Sequence, residues 1–300
     1  MRKLSSILLV IIVLVLCLSG CYKPGREKIV FPKDELLSDY LSENNKSMEV
    51  IEEKESVKTV FFYRGENKIY SKIYIPDGKG PFPVVIVSGG MGVSLTSNHY
   101  LASELASNGI VAVTYDPYGA VDSSKSDGKF IEFSILTQAA DIEAIITTIS
   151  EESYIDTNKV FLWGHSLGGM AASYVGFKNP ELIKGMILVE PSFQMNEQAH
   201  ELFSNYEDIP DIITSPVYCG GPFYRDTWVF DIYELMPDYS GKVLLYAGTN
   251  VNSIGGSMPE LVTSADELLP SCGLIYVEGA DHSFAGTAIN QVAKETIEFV

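Results

Sequence analysis

The chain is 300 residues long, 46% hydrophobic and 20% charged, enough for one large core or two modest ones and too apolar for a disordered protein. Its 39 Asp and Glu against 21 Lys and Arg give a formal charge of -18, an acidic balance that repels phosphate backbones and argues against a nucleic-acid partner. The four cysteines, Cys17, Cys21, Cys219 and Cys272, contain no CxxC pair, and no HExxH occurs, so a disulfide scaffold and a zinc cluster are both excluded.

In chain order, residues 7–18 form a nearly unbroken aliphatic run behind Arg2 and Lys3. This is a basic segment followed by an apolar one of signal-peptide length, short for a membrane span. The run ends Leu18-Ser19-Gly20-Cys21, which resembles the bacterial lipoprotein lipobox, where small residues precede a cysteine that is lipidated and becomes the new N-terminus. The resemblance implies loss of residues 1–20, lipid on Cys21, and a place on the extracytoplasmic face of the cell membrane, held by acyl chains contributing about 0.8 kcal/mol per buried CH2. An uncleaved signal anchor is the alternative. Removing residues 1–20 takes Arg2 and Lys3 but no acid, leaving 19 basic against 39 acidic residues and a charge of -20. Cys219 and Cys272 are then left as a possible disulfide, and their pairing stays open. Residues 21–55 are polar and acidic, with Glu49, Glu52, Glu53 and Glu55 close together, a composition that predicts a solvated tether.

From residue 56 short β-rich runs alternate with helix-length segments. Residues 57–63 and 68–75 read as a hairpin around Gly65, closed by Pro76-Asp77-Gly78. Residues 83–88 are continuously apolar, as in strands buried on both faces, and similar runs recur at 110–115, 160–163, 186–189, 243–246 and 274–277. Helical patterns fall at 100–107, 135–149, 167–177, 259–268 and 289–299. The alternation predicts an α/β fold with a mostly parallel, doubly wound sheet and functional groups on loops at the carboxyl ends of strands. Between the sixth and seventh of these strands lie about fifty residues rich in aromatics, Pro and Gly, too many for a structureless loop. They predict a lid or cap over about residues 193–241.

Gly164-His165-Ser166-Leu167-Gly168-Gly169 follows the fifth strand and opens a helix, the context of a nucleophile elbow. Three positions filled about 7% of the time give about 0.1 chance matches in a chain this long, so the motif is specific. A serine hydroxyl needs a base to take its proton, and four histidines are available. His165 sits inside the elbow, where its side chain is expected to point away from Ser166 and pack. His99 opens the first helix and His200 lies in the insertion, both as surface or lid residues. His282 follows the last strand in Glu278-Gly279-Ala280-Asp281-His282-Ser283-Phe284 and is the expected base.

From about Pro83 onward the chain resembles the α/β-hydrolases, and within them the bacterial cinnamoyl and feruloyl esterase-like serine hydrolases. The stretches that carry the resemblance are Tyr115-Asp116-Pro117-Tyr118-Gly119 before Gly128-Lys129-Phe130, the elbow, Gly220-Gly221-Pro222-Phe223-Tyr224, and the His282 loop. The family pattern implies an acid after the seventh strand, where this chain reads Gly248-Thr249-Asn250-Val251-Asn252, with Val251 at the expected position. Neither Asn250 nor Asn252 can supply the negative charge that stabilises imidazolium. Glu190 ends the sixth strand, 24 residues after Ser166 and ahead of Pro191. A carboxylate buried there must be partnered, which makes it the expected triad acid, with Asn252 or a degenerate site as the alternative. Asp281, adjacent to His282, is poorly placed to reach its ring.

The oxyanion hole requires N–H groups aimed at the developing charge. Leu167, after the nucleophile at a helix N-terminus, is one expected donor. The other comes from Ser88-Gly89-Gly90-Met91-Gly92, with Gly90 favoured and Met91 next. No GK[ST] follows that loop, which sets aside phosphate binding. The resemblance suggests Tyr224 as a substrate contact. The resulting expectation is a serine carboxylic-ester hydrolase acting on a small-molecule aryl or acyl ester through an acyl-enzyme, with no metal or cofactor required. A lipase or peptidase of the same fold, and a non-catalytic surface binding protein, remain as alternatives.

Overall fold

The computed structural model describes residues 48–214, 218–252 and 259–300. The predicted signal segment, Cys21 and most of the acidic tether lie outside the described residues.

The chain enters through β1 (Met48–Lys54), β2 (Val57–Arg64) and β3 (Asn67–Tyr74), an antiparallel meander. β1 corrects the expected tether, because residues 48–54 pair with β2 and the folded part begins before residue 56. Its side chains are mostly exposed and include Glu49, Glu52, Glu53 and Lys54. Charge on a solvated edge strand discourages further strand addition, which is how an acidic stretch can be a strand.

β4 (Phe82–Ser88), β5 (Val111–Tyr115), β6 (Ile155–His165), β7 (Ile183–Val189), β10 (Lys242–Gly248) and β11 (Cys272–Val277) complete a nine-stranded sheet of order β1-β2-β3-β5-β4-β6-β7-β10-β11. β8 (Ile212–Ile213) and β9 (Cys219–Gly220) form a separate antiparallel pair. Within the large sheet, every pairing along β5-β4-β6-β7-β10-β11 is parallel. Successive residues of a strand face opposite sides, so Val84 and Ile86 join the core on one face while Val85 and Val87 join the core on the other.

Helices α1 (His99–Ser107) and α7 (Thr287–Phe299) cover the second face. The first is covered by α2 (Ile135–Ile149), α3 (Leu167–Lys178) and α6 (Pro259–Leu268). All of α3 except Lys178 is buried, as suits a helix that is apolar on every side and packed between sheet and neighbours. α2 starts at Ser134, whose hydroxyl accepts from the Thr137 N–H while the Thr137 hydroxyl accepts from the Ser134 N–H. That reciprocal cap fixes its first turn.

The insertion predicted between the sixth and seventh strands holds α4 (Met195–Leu202), β8, β9 and α5 (Gly221–Val229). Its buried aromatics Phe193, Phe223, Tyr224, Trp228 and Tyr233 belong to the same core as α2 and α3. It is pinned to the start of α2 twice. Phe223 stacks on Phe133 with centroids 6.2 Å apart, and the Asp226 carboxylate accepts from the Leu136 N–H at 3.2 Å. Cys219 and Cys272 are both free thiols, which settles their pairing.

Candidate active site

Ser166 sits between β6 and α3 at φ 56 and ψ -124, a region that non-glycine residues adopt only under strain. The turn is held on both sides: the Ser166 N–H donates to Val189 O at 3.1 Å and Ser166 O accepts from the Ser192 N–H at 3.0 Å. The motif glycines are needed for contact. A Cβ on Gly164 would lie 2.6 Å from Gly168 O, and one on Gly168 would collide with the Ser88 and Gly89 carbonyl oxygens. The strand, turn and helix therefore close together only without those side chains.

His282 lies in the loop after β11, with Nε2 3.0 Å from Ser166 Oγ. Its other ring nitrogen, Nδ1, faces Glu190 Oε2 at 3.4 Å. Serine, imidazole and carboxylate are thus in one line, the arrangement a base needs to receive the serine proton while a third group fixes its tautomer. Glu190 is 2% exposed. It stands at the end of β7 with φ 45, its N–H donating to Tyr246 O at 2.9 Å and its Oε1 accepting from the Gly248 N–H at 2.7 Å. The buried carboxylate is partnered as the burial argument requires. The separation from Nδ1 exceeds the roughly 2.7–2.9 Å of a charge-assisted N–H···O bond, and such bonds tighten when substrate closes the site.

The alternative acids are placed elsewhere. Val251 and Asn252 are exposed, and among the described residues no hydrogen bond joins Asn252 to His282. The Asn250 N–H donates to Ala280 O. Asp281 accepts from the Ser283 N–H at 3.0 Å and from its hydroxyl at 2.5 Å, shaping the loop and not the ring.

The remaining histidines are structural, one of them in an unexpected way. His99 Nδ1 lies 3.1 Å from the Tyr74 hydroxyl, and the His200 ring packs on Trp228 with centroids 3.8 Å apart. His165 does more than pack. Its Nε2 is 2.6 Å from the backbone oxygen of His282, and the two rings are 5.0 Å apart. A carbonyl only accepts, so this nitrogen carries the proton and His165 ties the elbow to the His282 loop. Burial, and then the neighbouring His282, lower its pKa to about 4, so it stays neutral near pH 7.

The N–H groups of Gly90 and Leu167 donate to no group among the described residues. A Cβ on Gly90 would be 3.1 Å from Ser166 Cβ and 3.5 Å from Oγ, so its backbone lies against the nucleophile. Leu167 opens α3, whose first N–H groups have no intrahelical partner and whose dipole favours an anion. Tyr224 lies on α5 within the insertion. It is 2% exposed and packs edge-to-face on Phe203 and Phe223, at 5.5 and 5.1 Å, as part of the lid's interior. Ser192 also reaches the site, its hydroxyl 3.4 Å from Ser166 Oγ; the signal for it in the sequence is its place two residues beyond Glu190. Among the described residues no group of His, Cys, Asp and Glu is arranged to hold a metal ion.

Residues 80–243, just over half of the chain, match the family described as serine aminopeptidase, S33. Esterase FrsA of Serratia proteamaculans is 27% identical over 137 residues, 44% of this chain and 31% of that protein. Esterase EstD of Thermotoga maritima is 25% identical over 143 residues, 45% of this chain and 33% of that protein. The chain therefore spans about a third of the length of these curated relatives. Among solved structures, Est1E from Butyrivibrio proteoclasticus with ferulic acid bound superposes with a TM-score of 0.70 at 20% identity, covering 80% of this chain and 96% of that one, a likeness of fold. With an elbow serine facing a histidine inside an α/β-hydrolase sheet, the chain belongs to the serine aminopeptidase S33 family of α/β-hydrolases, enzymes of the serine-hydrolase type.

Proposed function

We propose that the protein is a carboxylic-ester hydrolase that works through an acyl-enzyme on Ser166. The observation that carries the reading is the line from Ser166 Oγ to His282 Nε2 at 3.0 Å and from Nδ1 to Glu190 at 3.4 Å. His282 takes the serine proton as Oγ attacks the ester carbonyl. The oxygen that becomes negative is received by the Gly90 and Leu167 N–H groups, donors already in place before reaction. As the tetrahedral species collapses, His282 returns the proton to the leaving alcohol. Water then enters by the same route and releases the acid. Glu190 keeps the proton on Nδ1 between steps and stabilises the imidazolium during them.

A small aryl or acyl ester is the substrate class we favour, supported by relatives named as esterases and by the fold shared with a ferulic acid complex. The test is hydrolysis of p-nitrophenyl acetate beside the matching p-nitroanilide. Wild type should cleave the ester, with Ser166→Ala and His282→Ala each lowering kcat by about 10^3-fold or more. Preference for the anilide would overturn the ester reading in favour of a peptidase.

The lipobox ending at Cys21 supports anchoring of the mature enzyme by lipid at the extracytoplasmic face of the membrane. Cells fed an alkyne fatty acid should label the wild-type protein and not Cys21→Ala, which should leave the membrane fraction. Labelling that survives the substitution overturns the anchor.

A further inference from the structure

The peptide joining Gly89 to Gly90 is planar and trans, so its C=O and N–H point in opposite directions. Whatever fixes the Gly89 carbonyl therefore aims the Gly90 N–H. That carbonyl accepts from Gln138 Nε2 at 3.2 Å. Gln138 is the fourth residue of α2 and is 1% exposed, and its own N–H donates to Ser134 O within the capped first turn. The next peptide is held as well, with Gly90 O accepting from the Val93 N–H at 3.1 Å. Both carbonyls flanking Gly90 are thus occupied, while its N–H is left for the site.

Two observations mark Gln138 as more than core filling. Its side-chain amide also bonds the buried Tyr115 hydroxyl, so the group is held at two points, as an apolar side chain could not be. Turning the amide over would set Oε1 against the Gly89 carbonyl, so only the donating orientation makes the bond. Behind it, the buried Tyr115 hydroxyl lies 2.9 Å from Ser88 Oγ, on the residue before Gly89.

We propose that Gln138 is a positioning residue for the oxyanion hole, holding the Gly89–Gly90 peptide so that the Gly90 N–H faces the substrate oxygen. The assignment rests on the esterase reading and on Gly90 as a donor. It acts in both half-reactions, because the tetrahedral intermediates of acylation and of deacylation each place their oxyanion in the same hole.

The test is Gln138→Met, which keeps length and bulk but has no donor, measured beside wild type. On p-nitrophenyl acetate kcat should fall about 10- to 100-fold, less than the roughly 10^2–10^3 of losing a donor outright, with KM within about twofold. A trifluoromethyl ketone, whose serine adduct carries an oxyanion, should bind more weakly by the factor lost in kcat/KM. In Gln138→Glu the neutral carboxylic acid retains an O–H donor. Burial raises such a group toward about 8–9, so its activity relative to wild type should be higher at about pH 6 than at about pH 9, a readout available even where the Met variant does not fold. Unchanged kcat in Gln138→Met overturns the proposal. So does a Gln138→Glu to wild-type ratio that does not move with pH, or a kcat/KM loss without the matching loss in inhibitor affinity. A wild type without esterase activity overturns the esterase reading and this assignment with it.

Discussion

Replacing Glu190 by Gln changes one atom and removes one charge, and the structure dictates how the amide must sit. The Gly248 N–H points at the position of Oε1, 2.7 Å away, so the amide oxygen must take that place. The NH2 is then turned toward His282 Nδ1, where the carboxylate oxygen stood at 3.4 Å. An NH2 can face only an unprotonated Nδ1, which forces the ring proton onto Nε2, the atom that must accept the proton of Ser166. The lost attraction between carboxylate and imidazolium is about 5 kcal/mol at 3.4 Å and an effective dielectric near 20. Allowing for wrong-tautomer effects of similar size in other triads, kcat should fall about 10^3- to 10^4-fold. KM should stay within a few fold, since Nδ1 and Glu190 lie across the imidazole ring from Ser166. The assay is steady-state hydrolysis of p-nitrophenyl acetate, with Asn252→Ala as the control that stays near wild type. A Glu190→Gln enzyme that keeps more than about a tenth of wild-type kcat would exclude Glu190 as the triad acid, and so would an inactive Asn252→Ala.

Other consequences follow from the same geometry. Gly90→Ala places a Cβ 3.1 Å from Ser166 Cβ and should lower kcat by about 10^2-fold or more while thermal unfolding shows a folded protein; near-wild activity would remove Gly90 from the oxyanion hole. His165→Ala deletes the donor to the His282 carbonyl at 2.6 Å and should reduce kcat about tenfold with KM unchanged, whereas a loss confined to KM would contradict its role in holding the loop. Asp226 has its pKa raised to about 7, chiefly by burial, against bonds from Ser134 and Leu136 that lower it. The folded state therefore binds a proton that the unfolded state releases from about pH 4 upward, so this group's contribution is largest at low pH and is lost as pH rises toward 7. Chemical denaturation of Asp226→Asn should show a smaller fall in stability between about pH 5 and pH 8 than wild type, and equal slopes would contradict the assignment.

What could be read from the sequence was what depends on neighbours in the chain. The elbow is a local turn whose glycines are demanded by contacts within it, and the buried parallel strands announce themselves as apolar runs without alternation. The elements observed at Ile135–Ile149 and Pro259–Leu268 begin and end where the pattern changes. Glu190 was legible because a carboxylate at the end of a buried strand has to be answered by something. β1 was not, because a charged edge strand with one neighbour lacks any apolar signature. The packing of Tyr224 was not legible either, because its place after Gly220-Gly221 does not reveal that its ring is buried against Phe203 and Phe223. His165 and Gln138 depend on partners 117 and 49 residues away, and a polar residue on a helix or in a motif does not advertise which distant carbonyl it holds.

Whether Ser166 is a nucleophile activated by His282 can be read with a fluorophosphonate probe mapped by peptide mass spectrometry. The wild-type protein should carry a single adduct on Ser166, formed much more slowly in His282→Ala and absent in Ser166→Ala. A folded wild type that takes up no probe, or an adduct that persists in Ser166→Ala, would rule out Ser166 as the nucleophile.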